Sequence, residues 1–287
     1  MNADLRSSIA REGREVTPRM IAATRRLFAP LLALPDAGVL RDVPYGPDIR
    51  HQMNLYPGSS AAARPVLLFI GGGGYDQDLW PDAEPRPDNV AAMAAGWGML
   101  GAVMRYRLAP DHPFPSGAED VARALAWLRD HAAEHGGDPL NIVLVGHCTG
   151  ATHVGSYLAD CSLHVGPGAG IAGAVLMSGI YDPRNAGADG GALAYFGADR
   201  RAWARASCAT DLLSTDVPLM FTVSELDPAD HQAQAAQMVG AWGLAHAAYA
   251  PMHLLAGHNH VSPVLSVGTP ERQVEGLIAS FVQRVTA

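Results

Sequence analysis

Six apolar residues run without interruption at 65–70, "PVLLFI", and such a run predicts a strand buried on both faces. The stretches "MLGAVMRY", "NIVLV", "AGAVLMS", "VPLMFTV" and "MHLLA" read as further strands. Between them the period changes. "GAEDVARALAWLRDHAAEHG" places Val121, Ala124, Leu125 and Leu128 on one helical face, with Ser116 and Glu119 at capping-box spacing and Gly136 suited to its end. Helices are also expected after "GHCTG", around residues 230 to 242, and from Pro270 to the C-terminus. Strand alternating with helix predicts an α/β fold with a mostly parallel, doubly wound sheet. Ahead of it, "VLRDV" and "HQMNLYP", the latter with Met53 and Leu55 alternating against polar neighbours, suit a hairpin of edge strands. Residues 1–37 read as a helical arm contributing to the cap, with Thr17 and Pro18 at a cap and first helical position and "LPDAG" as a break. The Gly- and Ala-rich stretch 182–215 interrupts the rhythm and is expected to be a small helical cap inserted over a site.

The chain of 287 residues is 48% hydrophobic, enough for one large domain, 1–287, with a substantial core. Its formal net charge is −8 and no Lys/Arg run forms a basic patch, which argues against nucleic acid as a partner. The N-terminal residues lack the apolar segment of a signal peptide, and no apolar stretch reaches the roughly 20 residues of a membrane span. A soluble, cytoplasmic protein with no membrane partner is the expectation. Cys148, Cys161 and Cys208 are too few and too scattered for a disulfide framework, so reduced thiols are expected.

Four segments carry candidate chemistry. "GHCTG", residues 146–150, ends one strand and opens a helix with the spacing of a nucleophile elbow, Gly-x-Ser-x-Gly, but with Cys148 at the centre. A helix N-terminus behind Cys148 favours a thiolate; the alternative is a buried packing cysteine. Gly71 to Gly74 follow "PVLLFI" and leave backbone N–H groups able to converge on an oxyanion, or else form a plain turn. Asp227, in "SELDPAD", follows a strand end where an acid that orients a histidine would stand, with Glu225 and Asp230 as competitors. "GHNHVS" supplies His258 and His260 late in the chain, completing the order nucleophile, acid, histidine. A metal site on that His-x-His pair lacks a third ligand at sensible spacing, so no metal is expected.

The segment "MRYRLAPDHPFPSGAEDVARALAWL", residues 104–128, is very similar to one found in the hormone-sensitive-lipase-like branch of the α/β-hydrolase fold, which grades into arylformamidase-like carboxylesterases. With the glycine loop, the elbow, "ELDP" and "GHNHVS", the resemblance spans roughly residues 50–285. It implies Cys148 at the position of the family's nucleophilic serine, Asp227 as the acid and His260 as the base. It also implies Gly73, Gly74 and Thr149 as oxyanion donors, with Gly71 where the family carries a loop histidine. Asp111, His112, Glu119 and Asp120 are read as structural. Tyr75, Trp80, His147, Tyr181, Tyr195 and Phe196 are candidates for a substrate pocket. The implied activity is cofactor-free acyl hydrolysis of a small ester, lactone, thioester or aryl amide through an acyl-enzyme on Cys148. Acyl transfer and a non-catalytic ligand-binding role are the alternatives. Cys148 is the odd member of serine-hydrolase machinery and reads as a replaced serine. Homodimers are frequent among relatives, and a small-molecule acyl substrate is the expected partner.

Overall fold

The computed structural model describes residues 3–32, 38–58, 64–77 and 88–287. They form one eight-stranded sheet built from β1 (Leu40–Pro44), β2 (Gln52–Tyr56), β3 (Arg64–Ile70), β4 (Leu100–Met104), β5 (Gly137–His147), β6 (Gly173–Met177), β7 (Leu219–Leu226) and β8 (Met252–Asn259). The strand order is β1-β2-β4-β3-β5-β6-β7-β8. β1 and β2 pair antiparallel, as does β2 with β4, and every later pairing is parallel. The doubly wound α/β architecture expected from the alternating pattern is the one observed.

The unbroken apolar strands follow from this layering. Along β3, Val66, Leu68 and Ile70 join one core while Leu67 and Phe69 join the other. β5 divides Ile142 and Leu144 from Val143 and Val145 in the same way. A strand covered by helices on both faces has no position left for a polar residue, and each such side chain contributes about 1.5–3 kcal/mol on burial. Helices Ser116–His131 and Thr149–Ala159 cover the first face; Asn89–Gly96 and Gln273–Val285 cover the second. Among the described residues no helix is long and apolar enough to cross a membrane.

The N-terminal helices, Ala3–Glu12 and Pro18–Phe28, bury Ile9, Met20 and Phe28 against Val261 and Leu265, just beyond β8. Thr17 accepts a hydrogen bond from the Met20 N–H at 3.1 Å, with Pro18 as the first helical residue. The Ser116–Glu119 capping box does not form. Pro115 stands at the N-cap, the Ser116 hydroxyl donates to the His112 carbonyl at 2.7 Å, and Glu119 is taken by Arg107 at 2.8 Å. Ser116 is already the first helical residue and not the N-cap, and Arg107 holds Glu119 together with the buried Asp120. Asp120 accepts from His51 Nε2 at 2.9 Å, from the Arg107 backbone N–H at 2.7 Å and from Arg107 Nε at 2.8 Å. His112, in the segment before that helix, pairs with Asp48 of the β1–β2 connection at 3.5 Å.

Asp120→Ala would leave His51 and Arg107 facing an empty buried site, and removing one partner of such a network costs about 3–5 kcal/mol. Urea denaturation should show a loss on that scale, and a loss below about 1 kcal/mol would reduce Asp120 to an ordinary surface-type charge.

Candidate active site

The carboxyl ends of β3, β5, β7 and β8 meet along one edge of the sheet, and each delivers one of the four sequence segments there. Cys148 follows β5 with φ 56° and ψ −122°, a left-handed conformation rare for a residue with a side chain. Its N–H donates to the Met177 carbonyl at 2.9 Å, and its own carbonyl accepts from Ala151 and Thr152 at the start of helix Thr149–Ala159. Two glycines make room for it. A Cβ at Gly72 would lie 2.6 Å from the Cys148 Cβ, and one at Gly150 would lie 2.0 Å from the Ile70 carbonyl oxygen.

Asp227 is wholly buried after β7 and accepts three hydrogen bonds. They come from His260 Nδ1 at 2.7 Å, from the Ser178 hydroxyl at 2.6 Å and from the Ser224 N–H at 2.7 Å. Burial alone would raise its pKa, but these bonds and the His260 and His231 charges hold it down to about 2. Of its competitors, Glu225 accepts from the Gly257 N–H at 2.6 Å and Asp230 pairs with His231 at 3.0 Å. His258 lies buried on Ser262, its Nδ1 2.9 Å from the hydroxyl, and burial lowers it to about 4. His260, not His258, meets Asp227.

His231 was not singled out in the sequence. It sits in the first turn of helix Ala229–His246, half-buried, and its ring lies 4.6 Å from that of His260 in an edge-to-face arrangement. One ligating atom each from Cys148, His231 and His260 lie within 4.8 Å of one another. The signal was present in "DPADH": a helix opening directly after Asp227 turns a residue four positions on back over the same strand end.

Charge organises the cluster. Burial would push the Cys148 thiol up, but the His260 and His231 imidazoles outweigh it and bring it down to about 6. Burial would likewise lower His260, and the facing sulfur and Asp227 outweigh it to raise the imidazole. His231 is raised too, because Asp230 and Cys148 overcome burial and the repulsion of His260.

The remaining sequence candidates divide. The Gly73 N–H donates to the Thr149 hydroxyl at 3.0 Å, and that hydroxyl also meets the Tyr106 hydroxyl at 2.9 Å. Tyr75 stacks on Tyr195 with ring centroids 4.8 Å apart and meets Phe196 edge-on at 5.1 Å, a cluster completed by the buried Trp203. His147 and Tyr181 are both buried, each with its polar atom turned to a backbone carbonyl. His147 is buried, lowered to about 3 by desolvation and then by His260, and its Nε2–H donates to the His260 carbonyl at 2.8 Å. Tyr181 packs edge-on against Phe221 in the core, its hydroxyl 3.4 Å from the Leu176 carbonyl. Trp80 lies outside the described residues.

A family model described as "alpha/beta hydrolase fold" matches residues 67–261. Carboxylesterase NlhH of Mycobacterium tuberculosis is 34% identical over 102 residues, 36% of this chain and 31% of that protein. Esterase LipQ of the same organism is 32% identical over 160 residues, 50% of this chain and 36% of that protein. The chain thus spans about a third of the length of these curated relatives. The crystal structure of esterase B from Lactobacillus rhamnosis superposes with a TM-score of 0.75 at 18% identity, covering 99% of this chain and 97% of that one. A putative thioesterase from Silicibacter sp. gives 0.66 at 20% identity, covering 91% and 92%. At these identities the structural matches speak for the fold.

The lowered thiol has a measurable consequence. The rate of Cys148 alkylation by iodoacetamide should rise through a midpoint near pH 6, where the thiolate forms, instead of near the ordinary value of 9.0. In His260→Ala the midpoint should move back toward the ordinary thiol range. An unshifted midpoint in that variant would remove His260 as the cause.

Proposed function

The chain belongs to the α/β-hydrolase fold family, and from that premise we propose that it is a carboxylic ester hydrolase that works through a covalent acyl-enzyme on Cys148. The observation that carries this reading is the convergence of the strained Cys148 turn with the hydrogen-bonded His260–Asp227 pair. In the reaction, the Cys148 thiolate attacks the ester carbonyl carbon and the carbonyl electron pair moves onto oxygen. The N–H groups of Gly74 and Thr149 receive that oxyanion; the Gly73 N–H joins them only by leaving the Thr149 hydroxyl. Collapse of the tetrahedral adduct expels the alcohol, which takes its proton from the His260 imidazolium. His260 then accepts a proton from water as the water attacks the thioester, and the carboxylic acid leaves with the thiolate restored. Asp227 holds the His260 ring with Nδ1–H toward the carboxylate and stabilises the imidazolium.

We read residues 182–215 as the cap of this site, with the stacked pair Tyr75 and Tyr195 and the edge-on Phe196 as the wall joining it to the glycine loop. The N-terminal helices steady the histidine loop from outside, where the Thr24 hydroxyl accepts from Asn259 Nδ2 at 2.8 Å. A short cap suits a small ester, thioester, lactone or aryl amide.

Incubation with a panel of activated aryl esters should add one acyl mass to the protein, mapped to Cys148 and absent in Cys148→Ala. Hydrolysis of the whole panel without acylation of Cys148 would refute the assigned nucleophile, and absence of both would point to a ligand-binding role. The setting of two histidines around the sulfur favours cysteine as the nucleophile over a replaced serine. Cys148→Ser should therefore lower kcat/KM on the panel at least tenfold, about 1.4 kcal/mol in the barrier. An increase would restore the replaced-serine reading.

A further inference from the structure

The acyl-enzyme scheme moves its protons through His260, backed by Asp227; His231, backed by Asp230, enters it only as a charge beside the sulfur. Their geometry is nevertheless a near copy of the first pair. His231 donates Nδ1–H to Asp230 at 3.0 Å, as His260 donates Nδ1–H to Asp227 at 2.7 Å. Each imidazole therefore has Nδ1 held by a carboxylate, which leaves Nε2 as the nitrogen turned toward the Cys148 sulfur. Among the described residues, His260 Nε2 is buried with no hydrogen-bond partner. A carboxylate that fixes the far nitrogen of a histidine is the usual outer support of a metal-bound imidazole.

We propose that Cys148, His231 and His260 form a binding site for a thiophilic divalent cation, Zn²⁺ being the ion of best fit. A tetrahedral zinc with one sulfur and two nitrogens spaces those ligand atoms about 3.3–3.6 Å apart, given Zn–S near 2.3 Å and Zn–N near 2.0–2.1 Å. The three atoms already lie within 4.8 Å of one another, so small side-chain rotations close the set. Three protein ligands leave a fourth position to water, and one thiolate with two imidazoles is a soft-to-borderline donor set that disfavours Mg²⁺ and Ca²⁺. Cys148 and His231 are both half-buried, so the cluster is not sealed from solvent.

On binding, the Cys148 sulfur donates a thiolate lone pair and each imidazole donates its Nε2 lone pair; any proton held on the sulfur or on either Nε2 passes to solvent, and no oxidation occurs. The same lone pair is the one that would attack a carbonyl. Metal occupancy and acylation therefore exclude each other, and the ion acts as a reversible block on the thiol. This inference goes beyond the esterase reading and does not require it.

Cobalt(II) reports such a site directly. Titration of the reduced, metal-stripped protein with Co²⁺ should saturate at one equivalent. It should produce a thiolate-to-cobalt charge-transfer band and the intense visible bands of a tetrahedral ion. The charge-transfer band should vanish in Cys148→Ser, and added Zn²⁺ should bleach it in the wild-type protein. Asp230→Asn keeps all three ligands and should weaken Co²⁺ binding roughly 10–100-fold, with His231→Ala weakening it at least as much. Zn²⁺ should also slow iodoacetamide alkylation of Cys148 in proportion to occupancy. Absence of a charge-transfer band at one equivalent, or a band that His231→Ala leaves at full intensity and affinity, overturns the proposal. If His231→Ala fails to fold, Asp230→Asn carries the test. An ester panel that fails to acylate Cys148 would leave the cobalt spectrum unchanged, so the two readings fail separately.

Discussion

The left-handed backbone at Cys148 is the constraint on which the site depends. Holding a side-chain-bearing residue at φ 56° costs on the order of 1–3 kcal/mol, so the turn persists only because its surroundings leave no other arrangement. β5 ends in a hydrogen bond from Cys148 to Met177 on β6, and the helix that follows begins at once on the Cys148 carbonyl. Gly72 and Gly150 let the neighbouring backbone come within distances that any Cβ would forbid. The result is a sulfur lifted above the sheet edge, in reach of loops from strands far apart in the chain.

Around that sulfur the ionisable groups follow a line of alternating sign: Asp227, His260, Cys148, His231, Asp230. Isolated, each charge would be strongly disfavoured in a partly dry site, since desolvation opposes every one of them. In sequence, each is stabilised by the next, which is why burial fails to neutralise the thiolate or to raise Asp227. The third nearby imidazole, His147, has no carboxylate of its own. Desolvation therefore wins there, and a neutral ring serves as a hydrogen-bond donor that fixes the His260 backbone. One side-chain type thus does two jobs within a few ångströms, according to whether an acid stands behind it.

The same cluster ties the two proposals together through one lone pair. A thiolate held by imidazoles with carboxylate support is prepared both to attack a carbonyl and to bind a soft cation, since both need the sulfur deprotonated and exposed to an electrophile. Helix Ala229–His246 makes the difference. By opening immediately after Pro228 it sets a second carboxylate–imidazole pair beside the first, which the ester chemistry does not call for.

Much of this was legible in the residues themselves, because its physics is local or periodic. Continuous apolar runs mark strands with two covered faces, the 3.6-residue period marks their covering helices, and Gly-x-Cys-x-Gly marks a turn that only small flanking residues permit. Chain order offered Asp227, with Glu225 and Asp230 as competitors, and the His258–His260 pair, and the family resemblance implied Asp227 and His260 among them. What sequence left open were separations between residues on different elements, which no local pattern encodes. The register of β7 against β8 brings His260, and not His258, to Asp227. Ser116 enters the helix as its first residue and Arg107 takes Glu119, so a capping box that the spacing alone supports does not form. Core packing holds Tyr181 and a backbone carbonyl holds His147, contacts that no local pattern announces. His231, polar and unremarked in a helix, becomes part of the site only because that helix starts where it does. Sequence determined which groups exist and which turns they occupy; tertiary packing decided which of them touch, because contact depends on strand register and helix placement summed over the whole sheet.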